Sequence, residues 1–180
     1  MRIQENTLDV TIPDGRAFRL QDCDTFVSIR GDTPHDFDVA WQNAGDERLW
    51  LVEFKDYGEL IPTSPNQDHL ETNLADKIKD TLYVLASVWA VSEFGRQLRS
   101  DIESTFPNFP RTACPIRPVV ILNLERRLTP LFSQLMTALN TDQNLMSVLS
   151  VMDIERILVV SPDHPFVREQ LQIDIQQRIP

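Results

Sequence analysis

The residues of this chain with the clearest chemical potential are Asp38, Glu53 and Lys55. The segments DFDVAW (36–41) and RLWLVEFKDY (48–57) are rich in strand-forming side chains. They are joined by QNAGDE, whose Asn43, Gly45 and Asp46 favour a turn, so a β-hairpin is predicted. Side chains two apart on a strand share a face. Glu53 and Lys55 therefore point one way, and Trp50, Val52 and Phe54 the other. On the preceding strand Asp36, Asp38 and Ala40 share one face, with Phe37, Val39 and Trp41 opposite. A register that sets Asp38 beside Glu53 brings two carboxylates and an ammonium to one end of a buried sheet. Such charges are costly to bury unless they pair or bind a metal. Mg²⁺ takes oxygen ligands and keeps several waters, so two carboxylates and a backbone carbonyl suffice to hold it. The adjacent lysine would orient an attacking water or help to deprotonate it.

The elements that must position these groups are readable in outline. Residues 7–30 read as extended chain: LDVTI, the turn Pro13-Asp14-Gly15, RAFRL, then TFVSI. The turn predicts a first hairpin, because Pro presets φ and Gly accepts a left-handed conformation. The strand 49–55 is apolar on both faces before its charges begin, as a central strand covered on both sides should be. Residues 58–69 hold two prolines and polar turn formers and read as a loop. Beyond it, Leu70, Leu74, Ile78, Leu82, Leu85 and Trp89 recur at spacings of three and four. That stripe predicts one long amphipathic helix over 70–99. The proline-rich loop 104–118 leads to a short buried strand, PVVILNL (118–124). Thr129-Pro130 is a helix start with Thr as N-cap. Helices over 130–140 and 143–152 and a strand over 156–161 complete the core. The tail from Pro162 fits another helix or an edge strand. The expected fold is α/β, a mixed central sheet flanked by helices. It forms one domain over 1–180, with N-terminal strands (1–33), a core (34–161) and a C-terminal tail (162–180).

Composition narrows the function classes. Apolar residues make up 42% of the 180 and charged residues 24%, an ordinary globular balance that excludes a disordered chain. No apolar run reaches the roughly 18–20 residues of a membrane span, so no membrane partner is expected. The N-terminal segment lacks the apolar core of a signal peptide. Two cysteines, Cys23 and Cys114, are too few for a disulfide framework. A cytoplasmic location follows as the expectation. The net charge of −10 argues against broad non-specific binding of nucleic acid. The acid is concentrated in residues 1–90, with 17 acidic against 8 basic side chains. Solvated surface explains such an excess, and so does a cation site. Within 91–127 the sign reverses through Arg96, Arg99, Arg111, Arg117, Arg126 and Arg127, which either contact phosphate or balance neighbouring acids.

Asp38 followed fifteen residues later by Glu53-Phe54-Lys55 in LVEFKDY resembles the D…(D/E)xK signature of the PD-(D/E)xK nuclease superfamily. In that superfamily, with its restriction-endonuclease-like fold, an Asp typically ends one strand and ExK lies on the next. A long helix and further strands follow, an order similar to residues 36–55, 70–99, 118–124 and 156–161. The resemblance implies a Mg²⁺- or Mn²⁺-dependent phosphodiesterase acting on DNA or RNA. It implies Asp38 and Glu53 as metal ligands, the Phe54 carbonyl as a possible third, and Lys55 as the residue acting on the nucleophilic water. The Pro-Asp dipeptide is absent. Pro34-His35-Asp36 stands nearby, and Asp36 competes with Asp38 for the ligand role. Many relatives place a helix, often with a further acidic residue, before the first core strand, where this chain reads as strands.

Plainer roles stand beside these. Glu53 and Lys55 can form a strand-end ion pair of little energetic worth, Asp36 a turn residue, and His35 a solvated loop side chain. Lys77 and Lys79, like Arg96 and Arg99, can meet phosphate or simply solvate a helix face. Trp41, Trp50 and Trp89 read as core. The rival functional class is a catalytically inactive protein of the same fold that binds a protein partner, as an assembly subunit. An acidic mimic of nucleic acid fits the charge but leaves Lys55 unexplained.

Overall fold

A computed structural model of the chain describes residues 1–13, 16–29, 34–43, 45–58, 67–124 and 128–177. The turn residues Asp14 and Gly15, most of the loop 58–69, and Glu125, Arg126 and Arg127 lie outside the described residues. A five-stranded mixed sheet forms the centre, in the order β3 (Ala17–Phe18), β4 (Val39–Trp41), β5 (Leu49–Tyr57), β6 (Ile116–Leu124), β7 (Leu158–Val160). β4 runs antiparallel to β3 and β5, while β5, β6 and β7 are mutually parallel. The second predicted hairpin is thus present as β4–β5, and β5 is the central strand the sequence demanded. Its Leu49 and Leu51 join one apolar cluster, its Trp50, Val52 and Phe54 another. One face of the sheet is therefore covered by helices α1 (Asp24–Ser28), α2 (Gln67–Trp89), α3 (Glu93–Thr105), α4 (Thr129–Thr141) and α5 (Gln143–Val151). The other face carries the short helix α6 (Pro165–Glu169) and a three-stranded antiparallel sheet. That sheet pairs β1 (Arg2–Glu5) with β2 (Leu8–Thr11), and β2 with β8 (Asp174–Gln177). The first two strands and the C-terminal β8 are thus one layer, while β3 joins the central sheet.

Several expectations are corrected. LDVT pairs not with RAFRL but with the upstream RIQE, through a two-residue link in which Asn6 takes a left-handed φ of 48°. A polar residue that tolerates φ > 0 makes so short a link possible. TFVSI is helix α1 rather than strand. Only Phe26 of it is buried, and Asp101 of α3 accepts the Thr25 N–H at 2.8 Å. Phe37 does not alternate with Asp38 as drawn. It precedes β4 and packs in the same cluster as Ala40, its N–H given to Thr81 Oγ1. The predicted helix over 70–99 is two helices. Val91 is left-handed (φ 58°), and Ser92 caps α3 by accepting the Gly95 N–H at 2.9 Å. Thr129 is already helical in α4, which has Leu128 as its N-cap. Among the described residues no helix is long and apolar enough to cross a membrane.

Candidate functional site

The β4–β5 pairing, Val39↔Val52 and Ala40↔Leu51, sets Asp38 opposite Glu53 when carried one step further. The contacts agree: the Asp38 N–H donates to Glu53 Oε2 at 3.2 Å, and Asp38 Oδ2 accepts the Phe54 N–H at 2.7 Å. Asp38 rather than Asp36 therefore faces Glu53. Glu53 is fully buried, on the helix-covered face with Lys55. Burial of a carboxylate is tolerable because two ammoniums meet it: Lys55 Nζ and Lys77 Nζ stand 2.6 and 2.7 Å from Glu53 Oε1. Lys77 arrives from α2. It lies seven residues after Leu70 and three after Leu74, so the helical period carries it along the edge of the buried stripe.

The electrostatics are uneven across this cluster. Burial, with Glu53 beside it, pushes the Asp38 carboxyl up to about 6, against the opposing pull of Lys77, the Phe54 N–H and Lys55. Glu5, at the end of β1, is also raised by burial and then by Asp38, which places a third carboxylate in the field of the site. Lys55 has its pKa raised. Burial pulls it down, but attraction and hydrogen bonding to Glu53, with Asp38 and Glu5, more than offset that. Tyr57, on the same face of β5, is raised chiefly by burial. Glu5 reaches this position because Asp56 anchors the β1–β2 turn. Asp56 accepts from the Thr7 N–H at 2.7 Å and the Thr7 hydroxyl at 2.5 Å, and on its other oxygen from Asn123 at 2.7 Å and the Gly58 N–H at 3.1 Å. Sequence reasoning missed both Glu5 and Asp56, since neither contact follows from local spacing.

The oxygen inventory decides what the cluster could hold. Among the described residues no group of three or more His, Cys, Asp or Glu side chains is arranged around a metal position. Glu53 Oε1 is taken by the two lysines, and Oε2 retains one acceptor position beyond the Asp38 N–H. Asp38 Oδ1 meets no donor among the described residues. The N–H and C=O of one strand residue face the same neighbour. Since Phe54 N–H turns toward Asp38, its carbonyl turns to that side too, beyond the last β4 pair at Val39↔Val52. Asp38 Oδ1, Glu53 Oε2 and Phe54 O thus make a hard-oxygen set compatible with a Mg²⁺ that keeps several waters.

The remaining candidates stand elsewhere. Lys79 pairs with Asp76 on its own helix. Arg96 donates to the Val91 carbonyl at the α2–α3 corner. Arg99 is held by Glu103, the Pro110 and Arg111 carbonyls and the face of Phe109. His35, half-exposed, meets Asp80 of α2 through its backbone N–H and its ring. Trp41 and Trp50 are buried, while Trp89 is partly buried against the core. No family model, no curated protein and no solved structure matches this chain.

Proposed function

We propose that the chain is a PD-(D/E)xK-like, Mg²⁺- or Mn²⁺-dependent phosphodiesterase acting on nucleic acid in the cytoplasm, with a restriction-endonuclease-like core. One observation carries this reading: Asp38, immediately before β4, meets Glu53 of β5, which in turn pairs with Lys55, at a fifteen-residue spacing that resembles the signature. The order of β4, β5, the helices α2 and α3, then β6 and β7 supports it. Asp38, Glu53 and the Phe54 carbonyl would hold the cation, which when bound would offset negative charge developing on a phosphodiester. Glu53 fixes the Lys55 and Lys77 ammoniums at the site, where they can meet a phosphate oxygen and the attacking water. Lys55, kept protonated by its carboxylate neighbours, positions that water and stabilises charge rather than accepting its proton. Asp38, with its raised carboxyl, is the better proton acceptor in the metal-free cluster.

A second reading has its own observation. Both lysines close on the same oxygen of Glu53, which suits a self-sufficient buried ion cluster in an inactive protein that binds a partner. The discriminating experiment is cleavage of single- and double-stranded DNA and of RNA with Mg²⁺ or Mn²⁺, beside calorimetric titration of the metals. The enzyme reading expects cleavage and metal binding, both lost in Glu53→Gln. Lys55→Met should lose cleavage yet bind metal as well or slightly better, because one repelling ammonium is gone. No cleavage and no metal binding by the wild type would leave the partner-binding reading in its place.

A further inference from the structure

Beyond the ends of β6 and β7 lies a solvent-open cavity of about 670 Å³ that the chemistry above does not use. Its volume falls within the range of small-molecule sites. Its position, outside the carboxyl ends of parallel strands, is where open α/β sheets bind ligands. Leu122, Leu124, Phe132 and Val159 supply an apolar floor with one aromatic ring. The rim is polar without being cationic: among the described residues its wall contains no lysine or arginine, and Asp163 contributes a carboxylate. Two carboxamides, Asn123 and Gln177, line the cavity. At Gly58 an added Cβ would lie 2.9 Å from Asn123 Nδ2 and 3.6 Å from Gln177 Nε2, so the absent side chain lets both approach. Asn123 gives its N–H to Asp56 and keeps its carbonyl as an acceptor. His164 accepts the Phe166 N–H through Nδ1, so its neutral ring carries a proton at Nε2.

Among the described residues a phosphate would meet no cation here, and an alkyl chain would strand the amides. A nucleobase has two apolar faces and an edge of mixed donors and acceptors, which apolar and amide side chains recognise. The cavity also adjoins the candidate site. In the parallel register Leu122 is the partner of Lys55 and Leu124 that of Tyr57, and paired strands lie only about 4.8 Å apart. We infer that this cavity receives an unstacked nucleobase of a single-stranded nucleic acid, next to the phosphate that Lys55 and Lys77 face. The placement of that phosphate rests on the nuclease reading; the base site itself does not.

The test uses the metal-free, ¹⁵N-labelled full chain titrated with adenosine, inosine, cytidine and uridine, none of which carries a phosphate. At least one should shift the side-chain amide signals of Asn123 and Gln177 saturably at millimolar concentration. Phe132→Ala should weaken that binding by about tenfold, within the cost of losing one base–aromatic stack. Gln177 is exposed at the end of β8, so Gln177→Ala should leave folding intact and change the order of preference among the four. No shift at either amide with any nucleoside, or binding unchanged in both variants, would overturn the inference. Cleavage without nucleoside shifts would remove the base site alone. Shifts without cleavage would support the base site while removing the nuclease reading.

Discussion

At the scale of single residues, Asp38 is a side chain of the site whose ionisation the fold resists. Its carboxyl is pushed up to about 6 by burial and by Glu53, above its ordinary value near 3.9 in an unfolded chain. Between those values the folded state binds more protons than the unfolded state, so this group makes stability fall as pH rises through roughly 4 to 6. Asp38→Asn keeps an oxygen for the Phe54 N–H and removes the charge. In chelator it should raise stability by about 2–3 kcal/mol at pH 7 and leave it nearly unchanged at pH 4. Denaturant melts of both proteins across that range check the difference curve. A flat curve would mean that Asp38 ionises in the fold as easily as in water. Such a stabilising substitution at a residue proposed to bind metal is what a functional carboxylate, held at a cost, should produce.

At the scale of elements, the pair β4–β5 was legible because each strand carries its own turn signals and alternation. Glu53 and Lys55 could be placed on a face from spacing alone. Their partners could not be read as securely. Lys77 lies within the stripe period, but a helical lysine next to apolar residues normally reaches for water, and here a buried carboxylate holds it instead. The break between α2 and α3 left a weaker trace, Ser92 followed by Glu93, in a stretch that no proline interrupts. Gly95 explains the corner. A Cβ there would stand 2.0 Å from the Ser87 carbonyl oxygen and 2.5 Å from its carbon, both backbone atoms, so α3 crosses α2 too closely for any side chain. Gly95→Ala should therefore destabilise the fold by more than about 3 kcal/mol, despite alanine's better helix propensity. Thermal melting decides it, and a melting point equal to wild type would mean that the helices pack further apart at this corner.

At the scale of the whole molecule, the distribution of charge constrains how a nucleic acid could approach. The net charge is −10, and the arginines of α3 are committed within the fold, Arg96 to the Val91 carbonyl and Arg99 to Glu103 and two further carbonyls. The N-terminal hairpin brings Glu5 to the site because two hydrogen bonds from Thr7 to Asp56 couple the small sheet to the central one, while Asn123 and the Gly58 N–H hold the other Asp56 oxygen. That coupling joins residues far apart in sequence and is why the third carboxylate was not legible. On the proposed function Lys55 and Lys77 are the cations the cluster would offer to phosphate, and each phosphate neutralised on a single strand contributes about −0.7 to the slope of log K against log salt. Two contacts thus give a slope of about −1.4, far shallower than that of a protein gripping six or more phosphates. Binding of a labelled single-stranded oligonucleotide in Ca²⁺, measured by anisotropy from low to moderate salt, should give that slope, falling by about 0.7 in magnitude for Lys77→Met. A slope steeper than about −3 would require a basic surface other than this pair, and with it a different approach of the strand to Glu53.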